Sequence, residues 1–83
     1  MTDVTVTVRY FAAARAAAGT TSDTVTATTI AELRSVITQR HGPGLARILP
    51  ACGLLINGVA GHDDRTELCD DTVVDILPPF AGG

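Results

Sequence analysis

Eighty-three residues allow one small domain and leave no room for a second core. With 46% hydrophobic residues the chain is too apolar for a disordered polymer, yet no apolar run approaches the ~20 residues of a membrane span. A formal charge of −3 argues against a nucleic-acid partner, and two cysteines behind a polar Met1-Thr2-Asp3 start fit a soluble domain in a reducing cytoplasm.

Val4, Val6 and Val8 alternate with Thr5, Thr7 and Arg9, the period of a strand with one apolar face. Tyr10 to Ala18 is rich in alanine and closes on Gly19, as a short helix does. Alternation resumes from Ser22 to Thr28, with Val25 and Ala27 on one face and Thr24, Thr26 and Thr28 on the other. Thr29-Ile30-Ala31-Glu32 is a capping box, and Ile30, Leu33, Val36 and Ile37 follow at helical spacing until Gly42-Pro43-Gly44. Leu45 to Leu49 adds a short helical turn before Pro50.

Gly53 to Ile56 is an apolar strand, and Asn57-Gly58 is the strongest hairpin signal in the chain, predicting a short return strand at Val59 and Ala60. Asp70-Asp71 makes a turn before a last strand from Thr72 to Leu77, which Pro78-Pro79 ends because neither proline can donate to a ladder. A hairpin flanking one long helix, followed by further strands, predicts an α+β chain with a mixed sheet and the helix packed across one face. That is the β-grasp, or ubiquitin-like, architecture. It assigns residues 1–77 to the domain and 78–83 to an extended Pro-Pro-Phe-Ala-Gly-Gly tail.

The catalytic inventory of this domain is nearly empty. His41 and His62 have no second ligand at metal spacing, and His41 suits the dipole at the end of the long helix. Cys52 and Cys69 are not a CxxC pair and are expected as small, partly buried thiols. Asp63-Asp64 and Asp70-Asp71 are expected to cap turns. Residues 60–83 nonetheless hold six acids against Arg65 alone, a balance of −5. Such a segment either steers the molecule toward a basic partner or forms a solvated rim.

The chemistry lies in the tail. Six residues held extended behind Pro78 and Pro79 reach on the order of 20 Å. Phe80 offers an apolar anchor, and Gly82 and Gly83, with no Cβ, can pass a narrow channel into another protein. The carboxylate of an unhindered glycine is also a good target for activation by ATP.

Val8-Arg9-Tyr10-Phe11-Ala12-Ala13-Ala14-Arg15 running to Gly19, the Thr-x-x-Glu-Leu helix start, Ile56-Asn57-Gly58 and the closing Ile76 to Gly83 together resemble the MoaD/ThiS family of sulfur carriers. The resemblance covers nearly the whole chain, and Pro-Pro-x-x-Gly-Gly favours its molybdopterin branch. One departure is Asp70-Asp71-Thr72, where the family commonly has Asp-Gly-Asp. The resemblance implies that Gly83 is adenylated and converted to a thiocarboxylate, that Gly82 gives access, and that Pro78, Pro79, Phe80 and Ala81 set the reach. It implies a docking patch including Phe11, Ala60 and Leu77, with core packing the alternative for at least one of them. Implied partners are the large subunit of molybdopterin synthase in a heterotetramer, a ubiquitin-activating-like adenylyltransferase using ATP and magnesium, and a sulfur donor. No bound cofactor or metal, and no active site of its own, is expected. Other sulfur acceptors (thiamine, cysteine or tRNA thiolation), a ubiquitin-like modifier and a simple binding module remain the alternatives.

Overall fold

The N-terminal Val/Thr alternation forms β1 (Thr5–Tyr10) in the computed structural model, which describes residues 4–60 and 63–78. Helix α1 (Ala12–Ala18), strand β2 (Ser22–Thr26), helices α2 (Ile30–His41) and α3 (Pro43–Ile48), a 3-10 turn (Leu49–Ala51) and strands β3 (Gly53–Ile56) and β4 (Val73–Leu77) follow. The sheet order is β2-β1-β4-β3, with β1 and β4 parallel at its centre and antiparallel strands on both flanks. The mixed sheet and packed helix are those of the β-grasp.

Pleating sorts the strand residues between the two faces. Val6, Val8 and Tyr10 of β1, Val25 of β2, and Val74 and Ile76 of β4 are all buried against Ile30, Leu33 and Ile37 of α2 and Leu45 of α3 within one hydrophobic cluster. The cap of α2 forms as its residue types dictate: the Glu32 amide donates to Thr29 Oγ1 at 3.2 Å, while Glu32 Oε1 accepts from the Thr28 amide at 2.6 Å. Gly42 at φ 83° ends α2, and Pro43, whose missing N–H costs nothing in a first turn, starts α3.

The elements differ from the sequence expectation in several places: β2 stops at Thr26 rather than Thr28, and β4 begins at Val73 rather than Thr72. Tyr10 belongs to β1 rather than to the short helix, because its ring fills the core at 2% exposure. Val59 and Ala60 form no strand. Asn57 and Gly58, both at positive φ, close a tight turn in which Ile56 and Val59 make a single bridge. Asn57 then turns to Val73, donating its amide to the Val73 carbonyl and accepting the Val73 amide on Oδ1. Val59 is 57% exposed, so no buried face supports a further strand.

The end of α2 is fastened to β2 by a polar cluster. The Tyr10 hydroxyl donates to Asp23 Oδ2 at 2.8 Å, and His41 Nε2 donates to the same oxygen. Arg40 Nη1 lies 3.5 Å from Asp23 Oδ1, and the His41 ring meets the Tyr10 ring edge-on at 5.5 Å. Burial alone would raise the Asp23 carboxyl. The hydrogen bonds from His41 and Tyr10 and the charges of His41 and Arg40 outweigh it, and hold the group below its usual range. Burial, then Asp23, pushes the Tyr10 phenol up. The helical-end role expected of His41 is met, with a named carboxylate to receive it.

The acidic segment is tied down in the same way. The Asp64 and Thr66 carbonyls accept the free amides of Ala31 and Ile30 at the start of α2, and the Asp64 carboxylate pairs with Arg34 at 3.0 Å. Asp63 Oδ1 accepts from the Arg65 amide, and Asp70 Oδ1 from the Thr5 amide. Asp63 caps its turn as expected, whereas the bracing of α2 by Asp64 and the bond from Asp70 to β1 go beyond that expectation. Asp71 sits at φ 64°, the left-handed region that a glycine occupies without strain. Replacing Asp71 with Gly is therefore expected to stabilise the fold by about 0.5 kcal/mol, the relieved strain exceeding the entropy glycine adds to the unfolded chain. A urea titration checks this, and a loss of stability would mean that the turn is unstrained.

Candidate functional site: the open face of the sheet

The helices cover one face of the sheet and leave the other open. Outward positions on the central strands are Thr5, Thr7 and Arg9 of β1 and Val73, Asp75 and Leu77 of β4; on β3 they are Gly53 and Leu55. Register places Arg9 beside Asp75, Asp75 beside Leu55, and Leu77 beside Gly53. Phe11 continues this face beyond the end of β1. Its amide donates to the Ile76 carbonyl at 3.2 Å, which brings it next to Leu77.

The turn that presents Phe11 is strained. Phe11 is extended at φ −124° and ψ 149°, yet Ala12 takes φ 50°, a conformation that costs an L-residue roughly 1–2 kcal/mol. The Phe11 carbonyl accepts from the Ala14 and Arg15 amides and so opens α1 without a side-chain cap. The ring is left 38% exposed at the rim of the sheet.

Near this rim lies a charged fork. Arg9 Nε donates to Asp75 Oδ1 at 2.6 Å and Nη2 to Oδ2 at 2.9 Å, a two-point bond that fixes the guanidinium plane. The hydrogen bond and charge of Asp75 raise the Arg9 pKa further. Its Cζ also lies 5.7 Å from the Phe11 ring centroid, within reach of a cation–π contact.

The structure thus brings Phe11 and Leu77 together at the end of β4, where Pro78 leads out half-buried. Ala60 is exposed and follows the single Ile56–Val59 bridge after β3, and no hydrogen bond joins it to Phe11 or Leu77 among the described residues. None of the three is a core residue. The expected roles of Pro79, Phe80, Ala81, Gly82 and Gly83 fall on residues outside the described ones, as does His62. Arg9 and Asp75 escaped the reading of the sequence. The signal available was their outward position on two strands that a β-grasp makes parallel neighbours.

The two thiols differ. Cys52 is buried, donates to the Ile48 carbonyl at 3.3 Å and is pushed up by burial, which keeps it protonated. Cys69 is exposed, contrary to the partial burial expected of it. On the helical side, a shallow groove of about 670 Å³ runs between α2 and the turn at Leu49 and Pro50. Its one cation, Arg34, is engaged by Asp64 and the Leu49 carbonyl. Among the described residues no group of three or more His, Cys, Asp or Glu is placed to hold a metal ion, and no helix is long and apolar enough to cross a membrane.

A mixed sheet of order β2-β1-β4-β3 with a helix packed across one face defines the ubiquitin-like class of fold. The sequence profile of the ThiS family matches residues 8–83, and the chain belongs to that family. Among solved structures, small archaeal modifier protein 1 of Methanosarcina acetivorans superposes with a TM-score of 0.87 at 25% identity, covering 100% of both chains. The complex of subunits 1 and 2 of the molybdopterin-converting factor from Helicobacter pylori contains a chain that matches with a TM-score of 0.75 at 28% identity, over 96% of this chain and 100% of that one. Small archaeal modifier protein 1 of H. volcanii, at 18% identity and a TM-score of 0.78 over 92% and 98% of the two chains, shares the fold. No curated protein sequence gives a significant match.

Proposed function

We propose that this chain is the sulfur-carrier subunit of a molybdopterin synthase. The observation that carries the reading is the family match, which runs through the sheet and on through Pro78-Pro79-Phe80-Ala81-Gly82-Gly83. The H. pylori neighbour adds support, since that structure is a complex of subunits 1 and 2 of the converting factor.

In this reading a ubiquitin-activating-like enzyme, with ATP and magnesium, lets the Gly83 carboxylate attack the α-phosphate, and pyrophosphate leaves. The terminal sulfur of a donor persulfide then attacks the acyl carbon and AMP leaves; a thiol cleaves the resulting acyl disulfide, forming a disulfide with the donor and leaving the thiocarboxylate on Gly83. Docked on the large subunit, the tail places this sulfur against cyclic pyranopterin monophosphate. The thiocarboxylate sulfur attacks a pterin side-chain carbon, where a C–O bond breaks and its oxygen leaves; water then cleaves the thioester, leaving the sulfur on the pterin and the carboxylate on Gly83. A dithiolene needs two sulfurs and each carrier brings one, which accords with an assembly holding two carriers. The domain contributes address and reach, and tethering raises the local concentration of the sulfur.

A second reading, a ubiquitin-like modifier, is favoured by the M. acetivorans modifier protein, which superposes more closely than the H. pylori chain. With no lysine in its sequence, this chain cannot form isopeptide chains on itself. Incubating the thiocarboxylated chain with the large subunit and the pyranopterin separates the readings. The expected result is molybdopterin, with one equivalent formed for every two carriers consumed. A thiocarboxylate left unconsumed would overturn the molybdopterin assignment in favour of another acceptor, and isopeptide-linked adducts in extract would favour the modifier.

A further inference from the structure

The open face carries one feature that stability does not explain. A buried or half-buried ion pair contributes little that a well-packed apolar pair would not, and replacing one is often neutral or stabilising. Arg9 and Asp75 nevertheless stand side by side on the two central strands, among the half-buried Leu55, Val73 and Leu77 and the exposed Phe11. The pair is asymmetric. The Asp75 side chain is 11% exposed and that of Arg9 is 52% exposed, so the carboxylate lies beneath and the guanidinium outermost. A neutral pair arranged this way shows its positive end to whatever covers the face.

The guanidinium also has bonding capacity to spare. Arginine carries five N–H donors, and the fork to Asp75 uses one on Nε and one on Nη2. Among the described residues no other acceptor is bonded to Arg9. A partner lying on this face would strip water from the remaining donors on Nη1 and Nη2, and a buried cation without acceptors is costly. Held by Asp75 on one side and by the Phe11 ring on another, the group is already fixed in place, and an ordered arginine beside an aromatic anchor is the usual makeup of an interface hot spot.

We infer that Arg9 is the specificity-determining residue of this face, and that it selects a protein partner presenting a carboxylate within an otherwise apolar surface. The occupant is the protein that receives the tail, since β4 carries Asp75 and Leu77 and leads through Pro78 directly into it. This rests on the carrier reading and adds to it which side chain reads the partner, and by what chemistry. Asp75 is a positioning residue: it holds the guanidinium plane and leaves the outer edge free.

The test is calorimetric titration of the full chain into the large synthase subunit at low and high salt. Arg9→Met, which keeps length and removes charge, is expected to weaken binding roughly 10- to 100-fold and to flatten its salt dependence. Arg9→Lys, which keeps charge and loses the fork, is expected to fall between. Arg47→Met makes the same charge change on the exposed end of α3 and is expected to bind as the parent does. Thermal melts establish that each variant is folded. Parental binding by Arg9→Met, or equal losses in Arg9→Met and Arg47→Met, overturns the inference while leaving the carrier reading intact. If the parent chain itself fails to bind the large subunit, the molybdopterin reading is what fails.

Discussion

Asp23→Ala is expected to lower the stability of the fold by about 2–3 kcal/mol, or a melting temperature lower by about 10–20 °C for a domain of this size. The side chain it removes accepts from the Tyr10 hydroxyl and from His41 Nε2 and faces the Arg40 guanidinium. Tyr10 is buried at 2% exposure, so its hydroxyl would be left without the acceptor that offsets its desolvation. The C-terminal turn of α2 would keep only the Arg40 bond to the Thr24 carbonyl as a side-chain tie to β2. Asp23→Asn, which keeps an acceptor oxygen and loses the charge, is expected to cost about half as much.

The same cluster sets a pH window. Asp23 titrates lower in the folded chain than in the unfolded one, so its contribution is complete above the ordinary carboxylate range, near about pH 4, and is lost as pH falls through the depressed folded value. Tyr10 is shifted upward, so its contribution is complete below the ordinary phenol range and is lost as pH rises beyond about 10. The gap in melting temperature between the parent and Asp23→Asn should therefore narrow steadily in acid. A gap that stays constant from neutrality to about pH 2 would show that the charge on Asp23 contributes nothing.

Removing Gly83 is expected to abolish sulfur loading while leaving the melting temperature unchanged. One extended residue spans about 3.3 Å, so the shortened tail would bring its carboxylate to the activating enzyme that far from the α-phosphate of ATP. Misplacement of a reacting group by about 1 Å already costs on the order of a hundredfold in rate. Loading of the shortened chain at the parental rate would mean that the activating enzyme tolerates a shorter reach than the proposal requires.

Most of the fold was legible because local signals and global packing agree in this chain. The Val/Thr alternation of β1 and the Thr29–Glu32 cap each specify one conformation, and the tertiary structure uses both unchanged. Legibility failed where a residue serves two periods or none. Tyr10 ends an alternating run and begins an alanine-rich one, and only the core decides between them. Val59 follows a strong turn signal but has no buried face to complete. The tail was legible as a candidate from its paired prolines and its glycines without a Cβ, and Phe11 as a candidate from the family resemblance. Arg9 and Asp75 were not, since they lie 66 residues apart and nothing local to either one announces the other. Only the parallel pairing of the first and last strands makes them a pair.

The central claim is that the chain is a carrier whose reacting atom is its terminal carbonyl carbon, and intact-mass spectrometry tests it most directly. The full chain is incubated with a ubiquitin-activating-like enzyme, ATP, magnesium and a sulfur donor, with the shortened chain in parallel. The expected result is a parent chain heavier by about 16 Da, the exchange of one terminal oxygen for sulfur, with no gain in the chain lacking Gly83. An unchanged parent mass, with an activating enzyme that loads another carrier in the same reaction, would contradict the account.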